Sequence, residues 1–462
     1  MEWEKLHLIK SNDSNLAFYY PTYALIEIND TAFKVLEKVK NGSSLNEVAE
    51  SFNLQEKELI DFLDNIKNKL ATDDIVSCIT TNNSSRNIYR ITLHISNDCN
   101  LRCKYCYADG GNYNLSRGLM TIETAQNFVD FCTQHFDSIG NIVFFGGEPL
   151  MNIDAMEYIC KKVDEYHKQG KIQQLPNFGI ITNGTIINDR LLALIKKYIT
   201  FITVSIDGPK TINDANRVYP NGSGSFDKIE NFIKTIKKET DVSIRYEATY
   251  TESHIREKIS KNDLTTFFFD EFEMKGTIAD EFNLQAGIYY DFPNFIEKDI
   301  FTVSDLHNFP EGFWGILASI VHKKPKQMCQ IYKQIAAVSI EGDIYPCHMN
   351  TGKTHLSLGN ISEKNIFNSP DEYKAESPLL FNINNRKVIC NDCWAQNICG
   401  GCTVKWFYDE SADNYKMQPN KSLCVSNKKH LEDTLLLIAH IRKNPKKWEF
   451  FMQHLNKNKT KD

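Results

Sequence analysis

Three cysteines stand within eight residues at Cys99, Cys103 and Cys106, in the order C-x3-C-x2-C. Three thiolates on so short a loop can converge on one iron-sulfur cluster. A four-iron, four-sulfur cluster asks for four ligands, so one iron is left open to a substrate or cofactor. Tyr105 adds an aromatic face beside the last of them. Zinc is the alternative, but it needs a fourth tetrahedral ligand, and His94 is the nearby candidate. The chain holds 13 cysteines, and seven more of them lie between 329 and 424. Clusters of this kind, without a secretory signal, point to metal or cofactor ligands rather than disulfides. Cys329, Gly342 and Cys347 read C-x12-G-x4-C, followed by Cys390, Cys393, Cys399, Cys402 and finally Cys424. Taken alone, Cys390, Cys393, Cys399 and Cys402 could hold zinc as a four-thiolate knuckle. Cys78, Cys132 and Cys160 read as ordinary thiols in or beside helices.

Other polar groups recur at intervals that match strand ends. Phe145-Gly146-Gly147-Glu148-Pro149-Leu150 carries two glycines that let a backbone approach a ligand closely while exposing carbonyls. Thr182-Asn183-Gly184 and Ser205-Ile206-Asp207-Gly208 each follow an apolar, β-branched run. The elements that must position these groups alternate. Strands are expected at 88–95, 141–145, 178–182, 201–206, 242–249 and 281–287, with amphipathic helices around 121–136, 153–168, 188–198, 225–238 and 254–268. That order predicts a parallel sheet with its chemistry at the carboxyl ends of the strands. Six units make an open, partial (β/α)6 barrel, with room for a peptide.

The first 80 residues have a different rhythm. Short strands around 6–9, 17–20 and 24–28 precede a helix capped by Asp30, a second helix from Ser43 or Ser44, and a third carrying Leu59, Ile60, Leu63 and Ile66. This is a winged-helix layout, but 8 Lys stand against 14 Asp and Glu, which argues against nucleic acid as its partner. A polar linker over 80–86 follows. No apolar run approaches the ~20 residues of a membrane span, and the acidic start has no signal character, so a cytoplasmic protein without a membrane partner is expected. The six lysines from Lys443 onward are expected to form a solvated basic tail over 441–462.

The C-x3-C-x2-C loop with its aromatic residue resembles the signature of radical S-adenosylmethionine (SAM) enzymes. The resemblance implies that the open iron chelates SAM and reduces it to a 5′-deoxyadenosyl radical. It also implies SAM contacts at Tyr105, Gly146, Gly147, Glu148, Pro149, Asn183, Ser205 and Asp207. A basic residue near the SAM carboxylate often follows the fifth strand, where this chain has Arg245-Tyr246-Glu247, with either Arg245 or Glu247 facing the barrel. The second cysteine set resembles the SPASM domain, although Cys399 and Cys402 are one residue closer than its usual pattern. By that resemblance Cys390, Cys393, Cys399 and Cys424 ligate a distal auxiliary cluster. Cys329, Cys347 and Cys402 ligate a proximal one, which lacks a fourth cysteine and so has an open iron, unless water or His348 fills the position.

The whole is similar to sactipeptide and ranthipeptide synthases, including the SCIFF-maturase type. The resemblance implies 1–80 as a leader-binding recognition element, 86–300 as the radical SAM core, 301–328 as a bridging region and 329–440 as the SPASM domain. The expected activity is a thioether cross-link from a cysteine sulfur to a carbon of a ribosomally made precursor peptide. SAM and three 4Fe-4S clusters serve as cofactors, with a flavodoxin or ferredoxin as electron donor. Other readings are carbon-carbon or ether cross-linking, a sulfatase-type maturase, or a non-enzymatic metal-binding adaptor.

Overall fold

The computed structural model describes residues 1–11, 14–70, 86–273, 276–280, 309, 312–324, 334–363, 390, 392–400, 402–409, 411–416 and 418–458. The chain divides into two compact units: residues 83–285 with 330–384, and residues 1–82 with 286–329 and 385–462.

The first of these is an α/β unit. Strands β1 (Leu6–Lys10), β2 (Asn15–Tyr19) and β3 (Ala24–Ile28) and helices α1 (Asp30–Lys40), α2 (Leu45–Ser51) and α3 (Glu56–Leu70) precede it in the chain. Its own elements are β4 (Asn87–Ser96), α4 (Ile122–His135), β5 (Ser138–Gly146), α5 (Ile153–Lys168), β6 (Asn177–Thr182), α6 (Asp189–Tyr198) and β7 (Ile199–Ser205). There follow α7 (Lys210–Asn216), α8 (Phe226–Glu239), β8 (Ser243–Tyr250), α9 (Glu252–Arg256), α10 (Lys261–Phe272) and β9 (Thr277–Asp280). Strands β4 to β9 are parallel and adjacent in chain order, the strand-helix alternation of a partial barrel. Five strands and four helices fall close to their expected places. The sixth strand lies at Thr277–Asp280, whereas the expected 281–287 is outside the described residues.

The sheet is wider than six strands. β10 (Ile335–Val338) pairs in parallel with β4, and β11 (Ile344–Tyr345) pairs antiparallel with β10. The turn between them needs Gly342, whose φ of +92° is a left-handed conformation. The hairpin that carries Cys347 is thus an extension of the barrel sheet. Cys132 and Cys160 are buried in α4 and α5, as expected of packing thiols. Cys78 lies outside the described residues.

The other unit begins with the antiparallel sheet β1-β2-β3. Every residue of β2 is buried, because alternate side chains enter two cores. Ala17 and Tyr19 join Val35, Leu36, Val48, Leu59 and Leu63 of the three helices. Leu16 and Phe18 join a second core with helix α11 (Phe313–His322) and the C-terminal helices. The cap of α1 is Asn29, whose side chain accepts from the Ala32 amide, rather than Asp30, which instead accepts from Asn15. Ser44 and Glu47 form a reciprocal capping box at the start of α2.

The C-terminal residues also differ from expectation. Two helices, Lys421–Arg442 and Pro445–Asn458, fill this stretch, and Phe451 is fully buried against Phe309, Phe313 and Trp314. The lysines hid an apolar stripe of Trp448, Phe451 and Leu455 at helical spacing. Among the described residues, no helix is long and apolar enough to cross a membrane.

Candidate active site

The three-cysteine loop leaves β4 at the carboxyl edge of the sheet and is fastened on two sides. Its backbone donates from Arg102 to the Val218 carbonyl at 2.7 Å and from Lys104 to the Asn216 carbonyl at 3.0 Å. On the other side, the Gly147 amide donates to the Ser96 carbonyl and the Glu148 amide to the Asp98 carbonyl, each at 2.8 Å. A Cβ on Gly146 would overlap the Ser96 oxygen, and one on Gly147 the Asp98 oxygen. The glycine pair was expected to let backbone approach a ligand; the close approach seen is to the cysteine loop itself.

Glu148 is likewise committed within the fold. Its carboxylate is fully buried and accepts from Thr182 Oγ1 at 2.6 Å, from the Asn183 amide at 2.7 Å and from the Leu150 amide at 3.0 Å. Burial pushes its pKa up, and these donors hold it back. Pro149 starts the short 3-10 turn that follows. Asn183 reaches from the end of β6 to the loop, donating to Asn100 Oδ1 at 2.8 Å with Cys99 Sγ at 3.6 Å.

Tyr105, Asp207 and Arg217 form a buried charged group. The Tyr105 hydroxyl lies 2.9 and 2.8 Å from the two Asp207 oxygens, and Arg217 Nη1 lies 2.5 Å from that hydroxyl. Burial raises the Asp207 pKa, against the pull of Arg217. Arg245 is exposed, with its guanidinium 4.7 Å from the centre of the Phe201 ring. Residues two apart on a strand share a face, so Arg245 and Glu247 were never alternatives. Glu247 pairs in register with Ser205, and burial raises its pKa against Arg217 and Arg90. The basic residue beside Tyr105 is therefore Arg217. Sequence reading missed it because a single arginine after a short helix has no period or motif.

Tyr107 and Tyr113 were also missed. Tyr113 donates to the Gly146 carbonyl at 2.9 Å, and its ring meets Tyr107 edge-on at 5.9 Å. Tyr107 is 47% exposed along its ring, yet its hydroxyl is pushed well above the ordinary range, first by burial and further by Cys347 and Cys106. The segment after the hairpin comes up against Tyr113, for a Cβ on Gly352 would overlap the Tyr113 carbonyl oxygen. The segment after Cys347 is tied to β4 through Thr351 Oγ1 and His94 Nε2, 3.1 Å apart. His348 is half-buried beside Phe145, with its pKa pushed down to about 4 by desolvation.

The donor set fits iron-sulfur ligation. Burial pushes the Cys99 thiol up to about 12 and raises Cys103, so thiolates there need a metal's positive charge. N–H groups face three of the sulfurs: Leu101 at 3.4 Å from Cys99, Met349 at 3.3 Å from Cys347, and Asn427 at 3.2 Å from Cys399. Such bonds orient and tune cluster ligands. Buried polar atoms without a hydrogen-bond partner adjoin the loop, namely Arg217 Nε and both amide atoms of Asn97. A bound SAM has carboxylate and amino groups to engage donors and acceptors of this kind. Among the described residues no three His, Cys, Asp or Glu side chains converge on a single ion, whereas cubane ligands bind separate irons. Cys329 lies outside the described residues.

The profile described as the Radical SAM superfamily matches residues 93–250. The iron-sulfur cluster-binding domain SPASM matches residues 329–394. The protein is a radical SAM enzyme. Its relatives include the radical SAM cyclopropyl synthase TigE of Paramaledivibacter caminithermalis, 25% identical over 86% of this chain and 88% of TigE. The antilisterial bacteriocin subtilosin biosynthesis protein AlbA of Bacillus subtilis is 24% identical, over 82% of this chain and 81% of AlbA. A cysteine-type anaerobic sulfatase-maturating enzyme of Clostridium novyi is 26% identical, over 75% and 95%. The solved structure of anSMEcpe with bound AdoMet shares the fold, with a TM-score of 0.58 at 21% identity over 76% of this chain and 98% of that one.

Proposed function

We propose that this radical SAM enzyme matures a ribosomally made precursor peptide by joining a cysteine sulfur to a carbon of the same peptide. The observation that carries the reading is that the hairpin bearing Cys347 extends the barrel sheet, β10 pairing with β4, the strand from which the three-cysteine loop leaves. Cys99, Cys103 and Cys106 would hold the SAM cluster. Asn183, Ser205, Asp207, Tyr105 and the strand-end loop at Gly146–Pro149 would shape the SAM site. Cys390, Cys393, Cys399 and Cys424 would hold a distal cluster, and Cys329, Cys347 and Cys402 a proximal one, making three in all. When bound, these groups supply a hydrogen-abstracting 5′-deoxyadenosyl radical and an electron acceptor.

The chain's own part is to bind and orient. Arg217 and Tyr105 hold Asp207 in place just beyond the end of β7. Cys99 and Cys103 are half-buried, which limits the access of water to the loop sulfurs. The sheet β1-β2-β3 leaves strand edges as the places where a leader peptide can add a strand. A flavodoxin or ferredoxin in the cytoplasm would be the reductant. AlbA, named for subtilosin biosynthesis, supports a peptide substrate. The relatives named as sulfatase-maturating enzymes support a polypeptide substrate.

For each bridge, one hydrogen atom goes to 5′-deoxyadenosine, one thiol proton is released and one electron passes to the acceptor. Reduced enzyme, SAM and a short cysteine-rich precursor peptide, sought among the flanking genes, should give a product two hydrogens lighter per bridge, with fewer thiols open to alkylation. No mass loss, or a bridge that leaves every thiol free, would overturn the reading.

A further inference from the structure

The N-terminal sheet and the C-terminal cysteine segment meet around Trp394. His7 on β1 stacks on Trp394, with ring centroids 3.8 Å apart and planes 6° apart. Its Nε2 lies 2.9 Å from Glu432 Oε1, on the helix Lys421–Arg442. Phe18 on β2 meets the same indole edge-on at 6.4 Å. The polypeptide turn between Tyr19 and Ala24 is joined as well, since Asn397 Nδ2 lies 3.4 Å from the Tyr20 carbonyl.

Trp394 directly follows Cys393 in a tightly wound segment. The Cys393 amide donates to the Cys390 carbonyl at 3.0 Å, and the Cys399 amide to the Ala395 carbonyl at 2.8 Å. Cys393, Trp394 and Cys399 all pack on the core that holds Ile9, Phe18, Leu431 and Leu435. The helix that carries Glu432 also carries Cys424 and, one turn on, Asn427, which donates to Cys399 Sγ at 3.2 Å. One helix therefore touches a candidate cluster sulfur at one end and fixes the His7 ring further along.

We infer that β1 and β2 form a wall of the distal auxiliary cluster site, and that His7 is a positioning residue for Trp394 and the cysteines on either side of it. This rests on the proposed ligation by Cys390, Cys393, Cys399 and Cys424. The physical route is short. A face-on imidazole pinned by Glu432 fixes the indole, and the indole shields the wound segment from water. Solvent exposure and hydrogen bonds to sulfur set both the potential of a cluster and its resistance to loss. Because the same sheet is the proposed seat of the leader peptide, peptide capture and the cluster share one scaffold.

The test uses the full chain, reconstituted anaerobically, with no peptide. In His7→Ala the midpoint potential and electron paramagnetic resonance signal of one auxiliary cluster shift, and iron is lost to a chelator roughly tenfold faster. The signal that responds to added SAM stays where it was. His7→Phe keeps the stack but loses the bond to Glu432, and its potential and iron release should fall between those of the wild type and His7→Ala. Glu432→Gln, which keeps the stack but loosens the ring, shifts the potential in the same direction as His7→Ala and serves if that variant does not fold. Unchanged potential and iron release in both His7→Ala and Glu432→Gln overturns the proposal and leaves His7 a packing residue. A Cys390→Ala, Cys393→Ala double variant that keeps all its iron overturns the ligand assignment itself, whatever His7 does.

Discussion

The hydroxyl of Tyr105 sits 2.9 and 2.8 Å from the two carboxylate oxygens of Asp207. The aromatic residue before the third cysteine is thereby fastened to the end of β7. Arg217 completes a buried charged group, and removing one member of such a group strands its partner. Asp207→Ala should cost about 3–5 kcal/mol of core stability. Tyr105→Phe removes a hydrogen bond to a charged group and should cost about 1.5–3 kcal/mol. Denaturant unfolding under anaerobic conditions measures both; an Asp207→Ala loss below ~0.5 kcal/mol would contradict the arrangement.

The glycine pair sets how the loop after β5 docks on the cysteine loop. A Cβ at Gly146 or Gly147 meets backbone oxygen, which has no side-chain freedom to give way. Gly146→Ala and Gly147→Ala should therefore bind less iron after reconstitution and bind SAM weakly. Gly170→Ala is the control, for that glycine has a φ of +73° but open space around it, and its cost should be only about 1 kcal/mol. Equal iron and SAM binding in all three variants would refute the docking role.

Acid should weaken the core through His94. Its ring is fully buried, and its pKa is pushed down to about 3, first by burial and then by His348. Unfolded, it titrates near 6.5, so below that pH the unfolded chain binds the extra proton and stability falls as pH falls. Buried Glu148 and Asp207 have raised pKa values and act in the opposite direction, losing their contribution as pH rises through the folded value. Comparison with His94→Gln isolates the histidine. Between pH 7 and pH 5 the wild type should lose roughly 2 kcal/mol more than the variant. Parallel pH curves for the two proteins would exclude this contribution.

Metal content tests the ligand sets. Reconstituted enzyme should hold about twelve irons and as many sulfides per chain, and the Cys99→Ala, Cys103→Ala, Cys106→Ala triple variant about eight. The triple variant should also lose the SAM-dependent change in its spectrum. Stoichiometric zinc with near-zero iron would instead favour a metal-binding adaptor.

Much of the barrel was legible because its two periods, two for strands and 3.6 for helices, are local properties of sequence. The cysteine loop was legible for the same reason, since its spacing is complete within eight residues. What escaped was set by contacts distant in sequence. The pairing of β10 with β4 joins residues some 245 apart, as in Ile335 opposite Arg90, and no local pattern announces it. The Glu148 motif was readable, but not that its carboxylate accepts from Thr182 and the Asn183 amide at the end of the next strand. Arg217 stands in a turn without period, while Arg245, on a readable strand, faces Phe201. The C-terminal helix is a different case. Trp448, Phe451 and Leu455 were visible at helical spacing, and the surrounding lysines outweighed them.

The central claim is that one carbon-bound hydrogen and one thiol are consumed together. The direct measurement uses a cysteine-rich candidate precursor peptide, deuterated at the carbons of its non-cysteine residues, with reduced enzyme and SAM. Thioether formation predicts deuterium in 5′-deoxyadenosine, in step with the loss of one alkylatable cysteine per bridge and a fragment mass that locates the sulfur on the labelled residue. Deuterium transfer with every cysteine still open to alkylation would contradict it and point to a cross-link without sulfur.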